Sequence, residues 1–179
     1  MLLTTSQLHL SEIVTNDIKY IHALNSLPEV DEFNTSGIPE SLDETQNLVL
    51  GWIDSQKKEP KERYTFSIVN KETNEFIGIV GLKMGKPNYR SAEIWYKLFP
   101  KTWKKGYATE TVKEILRFCF NELKLHRIEA GCAIGNIGSI KVLEKCGFIR
   151  EGQTRKLLPI RDNWIDNYFY AILEEDHNK

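Results

Sequence analysis

The spacing of apolar residues divides the chain into strands and helices. Alternation of apolar and polar side chains predicts strands, since successive residues of a strand face opposite sides. Within residues 92–98, for example, Ile94 and Tyr96 face one way and Glu93 and Trp95 face the other. Segments of this kind, or short apolar runs bounded by turn residues, are residues 8–14, 64–69, 76–82, 92–98, 127–134 and 168–173.

Helices are predicted where apolar residues recur at spacings of three and four. Asn16 or Asp17 can begin a first helix, the capping box starting at Ser41 begins a second, and Asn136 begins a short helix that Gly147 ends. The longest apolar stripe consists of Ala108, Val112, Ile115, Leu116, Cys119 and Leu123. Residues 28–40 are rich in turn formers and are expected to be irregular.

The order of these elements predicts the fold class. One strand precedes two helices, three strands follow, and helix, strand, helix and strand complete the chain. Helices that interleave with strands after a hairpin run indicate an α+β (mixed α/β) protein around one central sheet. The length of 179 residues fits a single domain spanning residues 1–179.

Composition excludes several classes of protein. A formal net charge of −1 argues against a protein that coats nucleic acid, so an anion site here must be local. Cys119, Cys132 and Cys146 lack the spacing of a metal site or a disulfide framework, and we expect reduced thiols and no metal. No stretch approaches the ~20 apolar residues of a membrane span, and the start does not match a signal peptide, so a cytoplasmic protein is predicted.

Residues 103–109 combine the elements of an anion site. Unpaired N–H groups at the start of a helix and the helix dipole both attract an anion. Gly106 lets a phosphate approach the backbone, and Lys104 and Lys105 supply positive charge. The alternative is an ordinary tight connection with solvated lysines. The pattern matches neither a P-loop nor a dinucleotide-binding fingerprint.

The segment Trp103–Ala108 resembles the acyl-coenzyme-A signature of the GNAT N-acetyltransferases. Gly106 and Ala108 match the signature, whereas Trp103 stands where the family has Gln or Arg. The resemblance extends over nearly the whole chain and is most specific in residues 92–152, in the branch of the ribosomal-protein N-terminal (serine/alanine) acetyltransferases. The segments that carry it are Ala92-Glu93-Ile94, Thr109-Glu110, Asn136–Ser139, Glu144–Phe148 and residues 166–173.

This resemblance implies a mostly antiparallel sheet that splays between its fourth and fifth strands, with acetyl-coenzyme A (acetyl-CoA) in the opening. The pyrophosphate would bind backbone amides between Lys104 and Thr109, and Leu98 and Phe99 would pair through backbone with the pantetheine arm. Asn136 would contact the arm, cap its helix, or do both. The coenzyme contacts implied are Leu98, Phe99, Trp103, Lys104, Lys105, Gly106, Tyr107, Ala108, Thr109, Asn136 and Ser139.

Catalysis in such a protein requires a base for the acceptor amine and a proton donor for the departing thiolate. Glu93 is the predicted base, with a salt bridge on the sheet as its alternative role. Many relatives place a tyrosine acid where this chain has Leu143, so Ser139 is the predicted acid and Tyr170 a weaker substitute. The family transfers acetyl directly, without a covalent enzyme intermediate.

The acceptor site is expected to involve Phe33, Asn34 and Trp52 from the variable region, and Trp95, which stands where the branch often has glycine. The resemblance favours a protein N-terminal amine as acceptor, with a polyamine or an amino sugar as alternatives. A non-catalytic coenzyme-A-binding regulator stays open because the helix tyrosine is missing. A helix-turn-helix DNA binder is disfavoured by the strand pattern of residues 127–134, and no nucleic acid or membrane partner is predicted. A homodimer is compatible with the sequence.

Overall fold

Eight strands form one sheet in the computed structural model, which describes residues 1–177. Their order across the sheet is β1-β2-β3-β4-β5-β6-β8-β7. The strands are β1 (Leu2–Thr4), β2 (Leu8–Glu12), β3 (Arg63–Asn70), β4 (Phe76–Met84), β5 (Ser91–Leu98), β6 (Arg127–Ala133), β7 (Ile149–Ile160) and β8 (Asn163–Leu173).

Helices cover both faces of this sheet. The helices are α1 (Ile18–Asn25), α2 (Pro28–Asp31), α3 (Leu42–Gln56), α4 (Tyr107–Arg117), α5 (Ile137–Lys145) and α6 (Glu174–His177). The predicted cap of α3 is present, because Ser41 Oγ accepts the N–H of Glu44 at 3.2 Å. A π-helical turn, Phe118–Glu122, extends α4, so its apolar stripe continues beyond the regular helix.

The core consists of two hydrophobic clusters, and side chains that alternate along β5 are divided between them. Ile94 and Leu98 are buried in the larger cluster, together with residues of α4 such as Val112 and Ile115. Trp95 and Phe99 pack against the smaller cluster, which α1 and α3 cover. This division follows the period of two predicted for the strand, and it gives β5 a different layer on each face.

The sheet opens between β5 and β6, which are the fourth and fifth of the predicted strands. These two strands run parallel, since α4 crosses over between them, whereas the other neighbouring pairs are antiparallel. Their pairing covers Ser91 to Glu93 on β5 and then stops. Beyond Glu93, β5 remains paired with β4 and β6 with β8, so the two halves of the sheet diverge.

Two strands, β1 and β7, and two single-turn helices, α2 and α6, are absent from the sequence-based assignment. Strand β7 was not predicted because most of its side chains are exposed and its polar run of Glu151 to Lys156 lacks apolar alternation. The short β1 pairs only with β2 at the edge of the sheet. The segment expected to be irregular contains the single-turn helix α2.

Glu110, in the first turn of α4, holds the turn between β1 and β2. Its carboxylate accepts hydrogen bonds from the Thr5 hydroxyl, from Ser6 Oγ at 3.0 Å, and from the backbone and side chain of Gln7 at 2.8 and 2.7 Å. Burial raises the pKa of Glu110, but the hydrogen bonds outweigh it and the net pKa lies below its ordinary value. We call these four residues the Glu110 hook.

Candidate active site

A cleft of about 320 Å³ lies at the sheet opening. Its walls come from the diverging strands, from α5 and from β8, and the loop after α2 also lines it. The lining residues are Phe33, Asn34, Thr35, Glu93, Ile94, Trp95, Tyr96, Ala130, Gly131, Cys132, Ala133, Asn136, Ser139, Leu143, Leu157, Leu158, Asn167 and Phe169. The cleft thus brings predicted catalytic, coenzyme and acceptor residues together.

The start of α4 has the geometry of an anion site. Intrahelical bonding begins with the N–H of Glu110, which bonds to the Gly106 carbonyl at 3.0 Å, so the N–H groups of the preceding helical residues point out of the helix end. Gly106 has a φ of 87°, which disfavours any side chain there, and a Cβ at this position would meet nothing within 4 Å. Lys104 and Lys105 are exposed beside this open space. Backbone donors, space and positive charge therefore coincide, which suits the pyrophosphate of a coenzyme.

The edge of β5 that faces the opening offers backbone groups to an extended ligand. Phe99 N–H donates to Ile77 O of β4 at 2.9 Å. Because hydrogen-bonding directions alternate along a strand, the backbone groups of Leu98 and Tyr96 point toward the opening instead. The expectation for Phe99 therefore requires correction, since its N–H is engaged inside the sheet.

Trp103 contributes a contact that the sequence did not suggest. Its indole Nε1–H donates to the carbonyl of Leu98 at 2.8 Å. This bond joins the loop before α4 to the end of β5. Where the family has Gln or Arg, this chain therefore has a side chain that fixes the loop to the strand.

Across the opening, the start of α5 contains two of the predicted residues. Asn136 Oδ1 accepts the N–H of Ser139 at 3.1 Å, so Asn136 caps the helix and also lines the cleft. Ser139 Oγ lies 2.8 Å from the hydroxyl of Tyr96 on β5. Burial raises the pKa of Tyr96, and the hydrogen bond to Ser139 only partly counteracts it. Tyr96 is therefore a neutral phenol that connects the two walls of the cleft.

Glu93 is the last residue of β5 that pairs with β6, and the two strands diverge beyond it. Its side chain is exposed and lines the cleft. Within residues 1–177, the Glu93 carboxylate makes no hydrogen bond or ion pair, although Lys83 and Glu129 are its cross-strand neighbours. This position leaves the carboxylate available to a ligand or to water.

The predicted acceptor residues lie on the face covered by α1 and α3. Phe33 and Asn34 line the cleft beside Trp95. The Trp95 ring covers Gly81, where a Cβ would approach it to 2.4 Å, and it packs against Trp52 with ring centroids 5.5 Å apart. Trp95 thus forms a rigid aromatic wall at the position where the family branch often has glycine.

Other lining residues were missed by the sequence analysis. Tyr96 was assigned to the core because it alternates with apolar residues, and its hydroxyl gives no separate signal. Leu157, Leu158 and Phe169 come from β7 and β8, which reach the cleft only through long-range pairing. Tyr170, the weaker acid candidate, is 1% exposed, contacts Glu144 at 3.4 Å and does not line the cleft.

Chemistry through a cysteine nucleophile is disfavoured. Cys132 lines the cleft, but burial raises its thiol pKa despite contacts with Ser139 and the Ile140 backbone. Within residues 1–177, no cluster of side chains suits a metal ion, and no helix has the length and apolarity needed to span a bilayer.

A family model described as the acetyltransferase (GNAT) domain matches residues 7–149. The chain belongs to the GNAT acetyltransferases. It is 34% identical over 180 residues to YnaD, an uncharacterized N-acetyltransferase of Bacillus subtilis (strain 168), covering 99% of this chain and 100% of that protein. The predicted family and fold class are thereby confirmed, and the chain is an acetyl-CoA-dependent N-acetyltransferase.

Two solved structures have the same architecture. Spermidine N-acetyltransferase from Vibrio cholerae, in complex with CoA and spermine, has a TM-score of 0.86 and 26% identity, covering 97% of this chain and 99% of that chain. Ribosomal-protein-S5-alanine acetyltransferase from Vibrio fischeri has a TM-score of 0.85 and 20% identity, with 98% of each chain covered. The second likeness concerns the fold alone.

Proposed function

We propose that this GNAT acetyltransferase moves acetyl directly from acetyl-CoA to the N-terminal amine of a protein, such as a ribosomal protein. The observation that carries the proposal is the parting of β5 and β6 after Glu93. That parting creates one cleft lined by the Glu93 carboxylate, the Ser139 hydroxyl and the loop containing Phe33.

Acetyl-CoA would be held mainly by backbone groups. The open N–H groups of α4 and the space over Gly106 suit the pyrophosphate. The backbone of Tyr96 and the N–H of Leu98 suit the pantetheine amides, whereas the Leu98 carbonyl already accepts the indole N–H of Trp103. Trp103 keeps these two parts in a fixed relation through its bond to Leu98. The acetyl group would then reach the cleft where Glu93 and Ser139 lie.

The transfer forms a C–N bond and breaks the thioester C–S bond. The amine attacks the carbonyl carbon and loses a proton, which Glu93 accepts directly or through water. The sulfur leaves as thiolate and takes a proton from Ser139, which then recovers one from solvent. Tyr96 holds the Ser139 hydroxyl from the opposite wall. No covalent enzyme intermediate is required.

Two physical arguments favour a protein N-terminus over a polyamine. An N-terminal amine has a pKa of about 8, whereas an alkyl amine such as that of lysine has one of about 10.4, so the former is deprotonated more easily near neutral pH. A further cavity lies beside the cleft on the proposed acceptor face, and its lining contains Arg63 and Lys97 but a single carboxylate, that of Glu44. This balance of charge matches a polycation poorly. A small-molecule amine is the second candidate, because the Vibrio cholerae relative is a spermidine N-acetyltransferase.

Calorimetry with acetyl-CoA, followed by a thiol-release screen over amines, tests the proposal. The screen compares peptides with free N-termini, the same peptides with blocked N-termini, spermidine and an amino sugar. Thiol release that requires a free peptide N-terminus is the expected result. Preferential turnover of spermidine would favour the small-molecule alternative, and coenzyme binding without thiol release from any amine would favour a regulator.

A further inference from the structure

A second cavity, of about 510 Å³, lies next to the cleft on the face covered by α1 and α3. Trp95 and Asn34 line both spaces, so the cavity continues the acceptor side of the site. The other lining residues are Asn25, Ser36, Gly37, Pro39, Glu44, Thr45, Leu48, Trp52, Arg63 and Lys97.

Lys97 is the unusual member of this lining. It lies on β5, two residues beyond Trp95 and on the same face, and its side chain is only partly exposed. Its Nζ donates to Oδ1 of the buried Asn25 at 3.1 Å, and no carboxylate of residues 1–177 forms an ion pair with it. Burial lowers the pKa of Lys97, although the nearby Asp31 carboxylate raises it again in part.

The Asp31 carboxylate favours the charged form of Lys97, but it is buried, pairs with Arg161 at 3.6 Å and does not line the cavity. A charged group bound in the cavity would therefore be the first to form an ion pair with this partly buried cation. Arg63 adds a second positive charge to the cavity. The carboxylate of Glu44 is turned toward its own helix start, where it accepts the N–H of Glu40 at 2.8 Å. The cavity therefore suits an anionic group, and a carboxylate could form a charge-assisted hydrogen bond with Lys97.

The position of Lys97 along β5 limits which acceptor molecule could supply that carboxylate. Lys97 lies four residues beyond Glu93, a distance of about 13 Å along an extended strand. A free α-amino acid cannot place its amine and its carboxylate so far apart. An extended peptide advances about 3.3 Å per residue, and an acidic side chain adds further reach.

We propose that the second cavity is a carboxylate-binding subsite, in which Lys97 selects acceptor peptides with an acidic side chain at the second or third residue. The inference rests on the proposed function, because it requires a peptide N-terminus in the cleft beside Glu93. Trp95 lies between the two positions and supplies an apolar wall for the residue that connects them.

Matched peptides test this subsite. The peptides carry Glu or Gln at the second residue, or at the third, and are otherwise identical. For wild-type protein, a KM lower by roughly 10-fold or more is expected for the Glu peptide at one of these positions, the usual range for a hydrogen bond to a charged group. Lys97→Gln should reduce that ratio to near 1, since glutamine can still bond Asn25 but carries no charge.

Lys19→Gln is the matched control, because Lys19 belongs to α1 on the same face of the sheet and is exposed. It should keep the wild-type preference. Lys97→Met serves as a second neutral variant if Lys97→Gln unfolds. The proposal would be overturned if wild-type protein gave equal KM values for the Glu and Gln peptides at both positions. It would also be overturned if a folded Lys97→Gln or Lys97→Met variant kept the preference for Glu.

A binding measurement separates this proposal from the function on which it rests. N-acetylated forms of the same peptides are added to the CoA-bound protein, and binding is followed through tryptophan fluorescence, to which Trp52 and Trp95 contribute. Tighter binding of the acetylated Glu peptide, lost in Lys97→Gln, supports the subsite even if no amine is ever acetylated. Acetylation of peptides with no difference between Glu and Gln would refute the subsite and leave the proposed function intact.

Discussion

The two sides of the sheet opening are built on different principles. The proposed coenzyme side offers mainly backbone groups, at the start of α4 and along the edge of β5, which are close in sequence. The proposed acceptor side is lined by side chains from distant segments: the loop with Phe33, the strand residues Trp95 and Lys97, and the end of the sheet at Leu158. Substitutions on the first side should affect every acceptor equally, whereas those on the second should change which acceptor is used.

Glu93 lies where the two sides meet, and its substitution should have the largest effect. Glu93→Gln should lower kcat/KM by roughly 10²–10⁴, the range for loss of a general base, with little change in acetyl-CoA affinity. The deficit should shrink as pH rises toward the pKa of the amine, because more acceptor is then already neutral. The measurement is kcat/KM against pH at saturating coenzyme.

Glu129→Gln is the matched control, since Glu129 pairs with Glu93 across the strands but binds Arg127 at 2.8 Å. It should alter thermal stability more than rate. Near-wild-type activity of Glu93→Gln at neutral pH would remove Glu93 from the mechanism and weaken the idea of a shared meeting point.

Gly106→Glu tests the coenzyme side directly. A side chain there would occupy the anion space and add like charge, so acetyl-CoA affinity should fall by at least about 100-fold, equivalent to losing one or two charged hydrogen bonds. Calorimetry gives the dissociation constant.

Gly37→Glu is the control, because Gly37 also has a positive φ, of 74°, and open surroundings, but lines the second cavity. It should change acceptor KM and leave coenzyme affinity unaltered; the reverse result would contradict the division into two sides.

Ser139→Ala and Tyr96→Phe should have intermediate effects. Removing the Ser139 hydroxyl leaves the Asn136 cap intact, because the cap uses the backbone N–H of Ser139. We expect kcat to fall by about 10- to 100-fold, at the low end of general-acid effects because a thiolate with a pKa near 8.5 leaves readily. Tyr96→Phe should lower kcat less, with unchanged coenzyme affinity. Single-turnover kinetics separate the chemical step from release, and an unaltered chemical rate in Ser139→Ala would assign proton donation to water.

The smallest effect is expected from Lys104→Ala combined with Lys105→Ala. Both side chains are exposed, so their attraction for phosphate is screened by salt. Acetyl-CoA affinity should weaken by a few-fold at low ionic strength, and its salt dependence should become flatter. Unchanged affinity at low salt would mean that the backbone amides alone provide the anion site.

Local patterns predicted most of the structural elements on the proposed coenzyme side. The helix start at Gly106, the cap at Asn136 and the alternation of β5 each depend on neighbouring residues, which sequence reasoning can evaluate. The role of Trp103 was missed because its partner, the Leu98 carbonyl, leaves no trace in the residue pattern. Strand β7 was missed because an exposed edge strand of polar residues shows no apolar alternation. Lys97 was placed on the correct face, but its contact with Asn25 of α1 was not predicted, because only the folded chain brings these two residues together.

The Glu110 hook joins the proposed coenzyme site to a part of the chain that lies outside the cleft. It fastens the first turn of α4, which presents the anion site, to the turn before β2. A carboxylate in the first turn of a helix interacts favourably with the helix dipole, but it would also repel a bound phosphate. The hydrogen bonds of Glu110 direct its carboxylate toward the hairpin.

Because folding lowers the pKa of Glu110, the hook stabilises the folded chain above the ordinary value of 4.5, and this stabilisation disappears as pH falls through the lowered pKa. Acid should thus loosen the contact between the turn before β2 and the first turn of α4, where we propose that the pyrophosphate binds. The acid stability of the proposed coenzyme site is therefore expected to depend in part on the first hairpin, which lies outside the cleft.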